Sequence, residues 1–361
     1  MQVRGRKQIT VMGGAAVAMA LSVAACTSSS SSPSGSGSAS TSTSVSGTIT
    51  AAGSTFQTNF QQEAATEFKS VSPSITVNYG GGGSSTGRSD LYKNTVLFAG
   101  SDSPIPSKEA SEVPAGKTVL YFPVQIGPIA IAYNLPNVNG LKLDATTLAQ
   151  IFQGQIKTWN DQAIKALNPG LSLPSTSITL AVRSDGSGTT QNFSQYLVDA
   201  AGSSWKLGTS STIKWPSTAY AGDGGCGVAQ IVQSTAGAIG YVDFSTATAS
   251  KLSAASIKNS AGDYVAPSSA SATAAATHVT PKSDLTFAAV DQPGATSYPI
   301  TYQSWDLVYQ TQPNANDAAL LKAYLGYLLG QGQSLLTPLN LAPLPASIDS
   351  MAKAQLSKIT S

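Results

Sequence analysis

Residues 47–68 read Gly47-Thr48-Ile49-Thr50-Ala51-Ala52-Gly53-Ser54-Thr55-Phe56-Gln57-Thr58-Asn59-Phe60-Gln61-Gln62-Glu63-Ala64-Ala65-Thr66-Glu67-Phe68. Gly47 to Ala51 has the makings of a short strand. Phe56, Phe60, Ala64 and Phe68 recur every four residues, which lines up one apolar face of a helix. Between the two lies a turn of small residues, Gly53-Ser54-Thr55, with Ser54 or Thr55 placed to cap the helix. A strand, a small-residue turn and a helix start are the repeating unit of α/β architecture.

The unit recurs along the chain. Ile75 to Tyr79 alternates as a second strand, and Gly80 to Gly87 then opens another helix. Val96 to Ala99 predicts a third strand, ending in Gly100-Ser101-Asp102-Ser103-Pro104, and Ile126 to Asn134 a long apolar one. A second block follows: helix at Ala145 to Phe152, strand at Ile178 to Arg183, helices at Ser187 to Ala200 and Val228 to Ser234, strand at Ala238 to Phe244. Ile300 to Tyr309 regains strand character, and helices are expected at Ala315 to Leu329 and Ile348 to Lys358. The Ser/Ala-rich stretch 248–297 resists assignment, and within it 266–280, with the lone histidine His278, reads as an exposed loop. Strands alternating with helices imply α/β lobes with largely parallel sheets.

The N-terminus sets the compartment. Arg4, Arg6 and Lys7 precede the apolar run Ile9 to Ala25, the pattern of an export signal and too short to span a bilayer. Val23-Ala24-Ala25-Cys26 resembles the bacterial lipobox, which implies cleavage before Cys26 and a lipid (palmitate) on it. Residues 1–26 are thus the signal, and 27–47, nearly all Ser, Gly, Thr and Ala, a flexible tether. A lipidated Cys26 leaves Cys226 without a disulfide partner, as a small, partly buried residue. The about 315 residues that remain make two lobes with real cores, at roughly 100–200 residues per domain.

Composition excludes several functions. Charged residues are 11% and the formal net charge is +2, so nucleic acid is a poor partner. One histidine in a low-complexity segment rules out a multi-His metal site and disfavours a Ser-His-Asp hydrolase. No cofactor, metal or enzymatic activity is expected.

In open α/β sheets ligands bind beyond the carboxyl ends of the strands, where helices begin. Three loops have that character here: Gly53-Ser54-Thr55-Phe56, Gly83-Ser84-Ser85-Thr86-Gly87, and Arg183-Ser184-Asp185-Gly186-Ser187-Gly188-Thr189-Thr190. Each brings hydroxyls and free amides to a helix N-terminus, the chemistry of an anion site. Singly, each is a weak signal, since a Ser/Thr cap beside a Gly is usually just a cap. The third adds Arg183, a planar fork for an oxyanion, and Asp185, spaced to orient it. No Lys stands where a Walker loop needs one, and no GxGxxG follows the first strand. Asp102, at the same edge, is the oddity: either a turn residue, or an acceptor for a proton that the anion still carries.

These segments resemble the Pst-type phosphate-binding proteins of bacterial ABC transporters. The carriers are Ala52 to Phe56, Asn78 to Gly87, Ala99-Gly100-Ser101-Asp102 and Arg183 to Thr189, with lesser matches at Ile151 to Asp161 and Gly237 to Val242. The resemblance implies a two-lobe periplasmic-binding-protein-like fold (type II) with the ligand cleft between lobes: 48–125 with 296–361 as lobe 1, and 126–295 as lobe 2. It implies phosphate contacts from Thr55, Phe56, Ser84, Asp102, Arg183, Ser187, Gly188 and Thr189, with Asp185 in support. It further implies delivery of inorganic phosphate to permease subunits of an ABC importer, at a cell membrane to which the lipid holds the protein. Another tetrahedral oxyanion, or a phosphate-sensing surface lipoprotein, are the alternatives. Phosphate near neutral pH keeps a proton and sulfate does not, and such donor–acceptor mismatches are worth about 10⁴-fold or more. Departures from the family pattern are Leu97, the Ala99-Gly100 order and the loop expected at Gly224-Gly225-Cys226-Gly227.

Overall fold

A computed structural model describes residues 45–361, so the signal, Cys26 and all but the end of the tether lie outside the described residues. The first lobe begins with β1 (Gly47–Gly53), α1 (Thr58–Val71), β2 (Ile75–Gly81), α2 (Ser84–Tyr92) and β3 (Phe98–Ser101). A long strand, β4 (Val119–Tyr133), then leads to β5 (Lys142–Leu143), α3 (Ala145–Phe152) and α4 (Gln162–Leu167). The second lobe is built on β6 (Thr179–Arg183), α5 (Gly188–Ala201), β7 (Tyr220–Gly222), α6 (Gly224–Ser234), β8 (Ala238–Asp243) and α7 (Phe244–Ala249). After β9 (Ser253–Ala254), β10 (Ser256–Lys258), β11 (Tyr264–Val265) and α8 (Ser269–Ala276), the chain returns through β12 (Thr301–Tyr309). It ends in α9 (Ala315–Leu328) and α10 (Ala346–Gln355).

The strand order is β2-β1-β3-β12-β4-β8-β6-β7, with β9 on β4. Each half repeats one plan, a parallel three-strand unit whose first strand is central: β1 between β2 and β3, β6 between β7 and β8. Antiparallel β4 and β12 join the halves. Val119 to Pro128 of β4 pairs with β12, and Ile129 to Tyr133 pairs with β8, so one strand serves both lobes.

Packing follows the sequence periodicity. Phe60, Ala64 and Phe68 of α1 are buried, and Phe68 meets Tyr324 and Tyr327 of α9 at ring distances of 5.2 and 5.1 Å. Burying each such ring contributes about 1.5–3 kcal/mol. A smaller core of Ala130, Ala181, Val228, Val232 and Val242 seats α6 against the second half-sheet.

Three expectations need correction. The 266–280 stretch is not a loop: Ser269–Ala276 is helical, capped by the Ser268 hydroxyl on the Ser271 amide, with Ala272, Ala275 and Ala276 buried; His278 beyond it is exposed. Gly224 to Gly227 is the first turn of α6. Cys226 within it is exposed, not partly buried. Among the described residues, no helix is long and apolar enough to cross a membrane.

Candidate functional site

The parallel plan aims the carboxyl ends of β1, β2 and β3 at those of β6, β7 and β8, and the loops meet. The Ser85 amide donates to the Gly186 carbonyl at 3.0 Å, and Asn59 Nδ2 donates to Ser245 Oγ at 3.2 Å, both from one lobe to the other. Glycine permits the approach. At Gly53 a Cβ would collide with the Gly100 carbonyl, and at Gly188 it would stand 2.5 Å from Ser84 Oγ and 2.6 Å from Asp102 Cβ.

Asp102 lies at the centre, 1% exposed, just past the end of β3. Ser54 Oγ donates to its Oδ2 at 2.7 Å and Ser84 Oγ to the same oxygen at 3.3 Å. Ser304 Oγ donates to Oδ1 at 2.5 Å. The Asp102 carbonyl accepts from Asn192 Nδ2 at 2.7 Å and Gln303 Nε2 at 3.1 Å. Burial pushes its carboxyl up to about 6, against the pull of the three hydroxyls and Arg183.

Arg183 ends β6 with its guanidinium buried. Its Nε donates to Asp185 Oδ1 at 2.6 Å and its Nη2 to Asp185 Oδ2, a two-point hold, while Nη1 points toward Thr189 Oγ1 at 3.5 Å. Burial alone would lower the pKa of Arg183, and the bonded Asp185 carboxylate outweighs it, so the cation stays charged. Asp185 Oδ1 also accepts the Gly224 amide at 3.2 Å. The backbone at Gly224 thus supplies a donor that secures the arginine's partner.

Ser187 caps α5, its Oγ accepting from the Thr190 amide at 3.1 Å, which leaves its own proton free to donate. Gly188 and Thr189 open that helix, where amides and the dipole favour an anion. Thr55 is half-buried at the rim, its methyl near Gly224. The Phe56 amide is bonded to Ser54 Oγ at 3.1 Å. The eight expected contact residues and Asp185 therefore converge on one place, with Thr55 and Asp185 half-buried and the others buried.

Sequence reasoning missed Ser304, Gln303, Asn192 and Arg88. Ser304 carried a signal, a lone small hydroxyl between the bulky Tyr302 and Trp305 of a strand buried throughout. Arg88 is fully buried; it pairs with Glu109 at 2.7 Å and donates to Ser101 Oγ at 3.0 Å, Ser103 Oγ at 3.3 Å and Ser85 Oγ at 3.2 Å. It thereby fixes the turn that carries Asp102. Among the described residues no group of three His, Cys, Asp or Glu side chains is placed to hold a metal.

Two α/β lobes that turn their strand ends onto shared hydroxyl, amide and guanidinium donors define a solute-binding protein. The PBP superfamily domain model matches residues 38–331. The chain belongs to the PstS family of phosphate-binding proteins within that superfamily. It is 38% identical over 314 residues to phosphate-binding protein PstS 3 of Mycobacterium leprae, covering 84% of each chain. With phosphate-binding protein PstS of Haemophilus influenzae it shares 35% identity over 316 residues, covering 86% of this chain and 92% of the relative. Its fold is that of a high-affinity periplasmic phosphate-binding protein (PfluDING) solved with phosphate, at TM-score 0.72, 20% identity and coverage of 86% and 94%.

Proposed function

We propose that this protein binds inorganic phosphate between its lobes and delivers it to an ABC-type phosphate importer. The observation that carries the reading is Asp102, a buried carboxylate set among the donors of both lobes. Charge-assisted bonds from Arg183, Ser187 and the first turn of α5 stabilise the anion, each worth roughly 1.5–3 kcal/mol. Asp102 accepts the proton that phosphate carries and repels an anion that has none.

Thr55, Phe56, Ser84, Asp102, Arg183, Ser187, Gly188 and Thr189 are the proposed contacts, with Asp185 holding the arginine. Lobe 1 is assigned to 48–125 with 296–361, and lobe 2 to 126–295. The hinge then includes β4 where its partner changes from β12 to β8. Closure about it is the signal read by the permease subunits. The role is binding and transport, not catalysis. Signal 1–26 and Cys26 place the protein on the extracytoplasmic face of the membrane through a lipid, and Cys26→Ala should release it.

Calorimetric titration of the chain lacking residues 1–26 tests the reading. Phosphate and arsenate should bind and sulfate should bind far more weakly. Absence of phosphate binding, or equal sulfate binding, sinks it.

A further inference from the structure

Behind Asp102 runs a line of buried polar side chains that no contact with the anion explains. Ser304 Oγ, 2.5 Å from Asp102 Oδ1, receives Gln57 Nε2 at 2.8 Å. The same nitrogen donates to the Trp305 carbonyl at 3.0 Å, which fixes which end of the Gln57 amide faces β12. Gln57 Oε1 accepts from Gln61 Nε2 at 2.9 Å, and Gln61 Oε1 accepts from the Tyr324 hydroxyl at 2.8 Å. Gln61 Nε2 also reaches both carboxyl oxygens of Asp306 at 3.2 Å. Gln57, Gln61, Ser304, Asp306 and Tyr324 are all 0% exposed.

We infer that Gln57, Gln61 and Asp306 are positioning residues, a buried relay that keeps Ser304 donating to Asp102 and so enforces the site's demand for a protonated anion. The inference rests on the phosphate reading above. Tyr324, Gln61, Gln57 and Ser304 each donate one step nearer Asp102, while Asp306 holds Gln61 from the side. With one lone pair of Ser304 taken by Gln57, its single proton chooses between Asp102 Oδ1 at 2.5 Å and the Ser101 carbonyl at 3.4 Å, and the short contact prevails. Aligned bonds of this kind polarise and strengthen one another.

The consequence concerns sulfate. A fully deprotonated oxyanion can fit only if Asp102 first takes up a proton and offers it to the anion. Oδ1 already faces the locked Ser304 proton, and Oδ2 faces Ser54 and Ser84, so protonation on either oxygen sets a proton against a donor. The relay makes that state costly from a distance. Asp306 at its far end is held neutral around pH 7, since burial pushes its carboxyl up to about 8 against the opposing bonds of Gln61 and Gln57. It therefore adds little charge to repel the incoming anion. The other ionisable groups facing Asp102 are Arg183 from β6, which stays charged, and Tyr79 of β2 and Tyr302 of β12, whose phenols burial holds neutral.

Phosphate and sulfate affinities measured by calorimetry from pH 5 to 8.5 test the relay, using wild type, Gln57→Met and Ser304→Ala. Gln57→Met removes both relay atoms at nearly constant length, and Ser304→Ala breaks the chain at its near end should the first variant fail to fold. Expected is a phosphate-over-sulfate preference that drops at least about 10-fold below wild type at pH 8 and converges on it toward pH 5.5, where Asp102 of the wild type already carries a proton, driven by a gain in sulfate binding. A purely structural role would weaken both anions by one factor at every pH, and that pattern overturns the inference. A wild type that prefers phosphate, with variants that keep its preference at pH 8, overturns the relay alone. A wild type that binds no phosphate overturns the functional reading and the relay with it.

Discussion

The backbone amide of Ser85, in the first turn of α2, donates to the backbone carbonyl of Gly186, in the loop between β6 and α5, at 3.0 Å. The two loops proposed to hold the anion are thus latched to each other directly, main chain to main chain. A Cβ at Gly186 would overlap Ser85 Oγ and come within 2.5 Å of its Cβ. Gly186→Ala should hold the lobes apart. Phosphate affinity by calorimetry is expected to fall about 10-fold or more, roughly 1.4 kcal/mol. Small-angle scattering with saturating phosphate should show a larger radius of gyration than wild type; wild-type values for both would mean that closure does not need this contact.

Arg183 is the buried cation nearest the proposed anion, and both its Nε and Nη2 are committed to Asp185. The second N–H of Nη2 and the two of Nη1 are left to turn to a ligand. Arg183→Ala removes the charge and leaves Asp185 with the Gly224 amide as its remaining described partner, an uncompensated carboxylate beside the anion. Phosphate and sulfate should both weaken by roughly 10²-fold or more, as loss of a charge-assisted bond plus a new repulsion requires. A change confined to one anion would contradict this role.

Asp102→Asn tests the filter itself. The amide offers a donor where the carboxylate offered only acceptors, so phosphate loses a partner for its proton and sulfate gains one. The phosphate-over-sulfate preference should shrink by about 10²-fold or more. Equal preferences in wild type and variant would assign discrimination elsewhere.

The parts of this arrangement differ in how openly the sequence displays them. The strand–turn–helix of residues 47–71 is legible because its four-residue apolar spacing and its capping serine speak for the same local structure. Arg183 with Asp185 is legible because a fork and a carboxylate two residues apart have one obvious use. The first half of β4 escaped notice, since Pro123 interrupts a run that only its pairing with β12 holds extended. Helix α8 escaped because alanine and serine bury without any periodic contrast against their neighbours. Ser304, Gln57 and Arg88 were hidden for a deeper reason: their partners are residues 202, 247 and 21 positions away, and only the fold makes them neighbours.

Two buried carboxyls give the phosphate-free protein a pH dependence of definite sign. Asp102 moves from 3.8 to about 6 and Asp306 from 3.8 to about 8, both through burial. Between those limits the native state holds protons that the unfolded chain has released. A folded pKa raised in this way contributes stability that is fully present below about pH 4 and is lost as pH rises, first through 6 and then through 8. Each group can remove up to about 1.4 kcal/mol per pH unit within its window. Thermal melts without phosphate should therefore show a lower Tm at pH 8.5 than at pH 5.5. Asp306→Asn keeps the shape and a hydrogen-bonding amide but cannot ionise, so it should flatten the fall between pH 6 and 8 and raise stability at pH 8.5 by a few kcal/mol. The slope below pH 6, which Asp102 contributes, should persist in that variant. A variant whose Tm still falls between pH 6 and 8 as steeply as wild type would show that Asp306 is not the group that titrates.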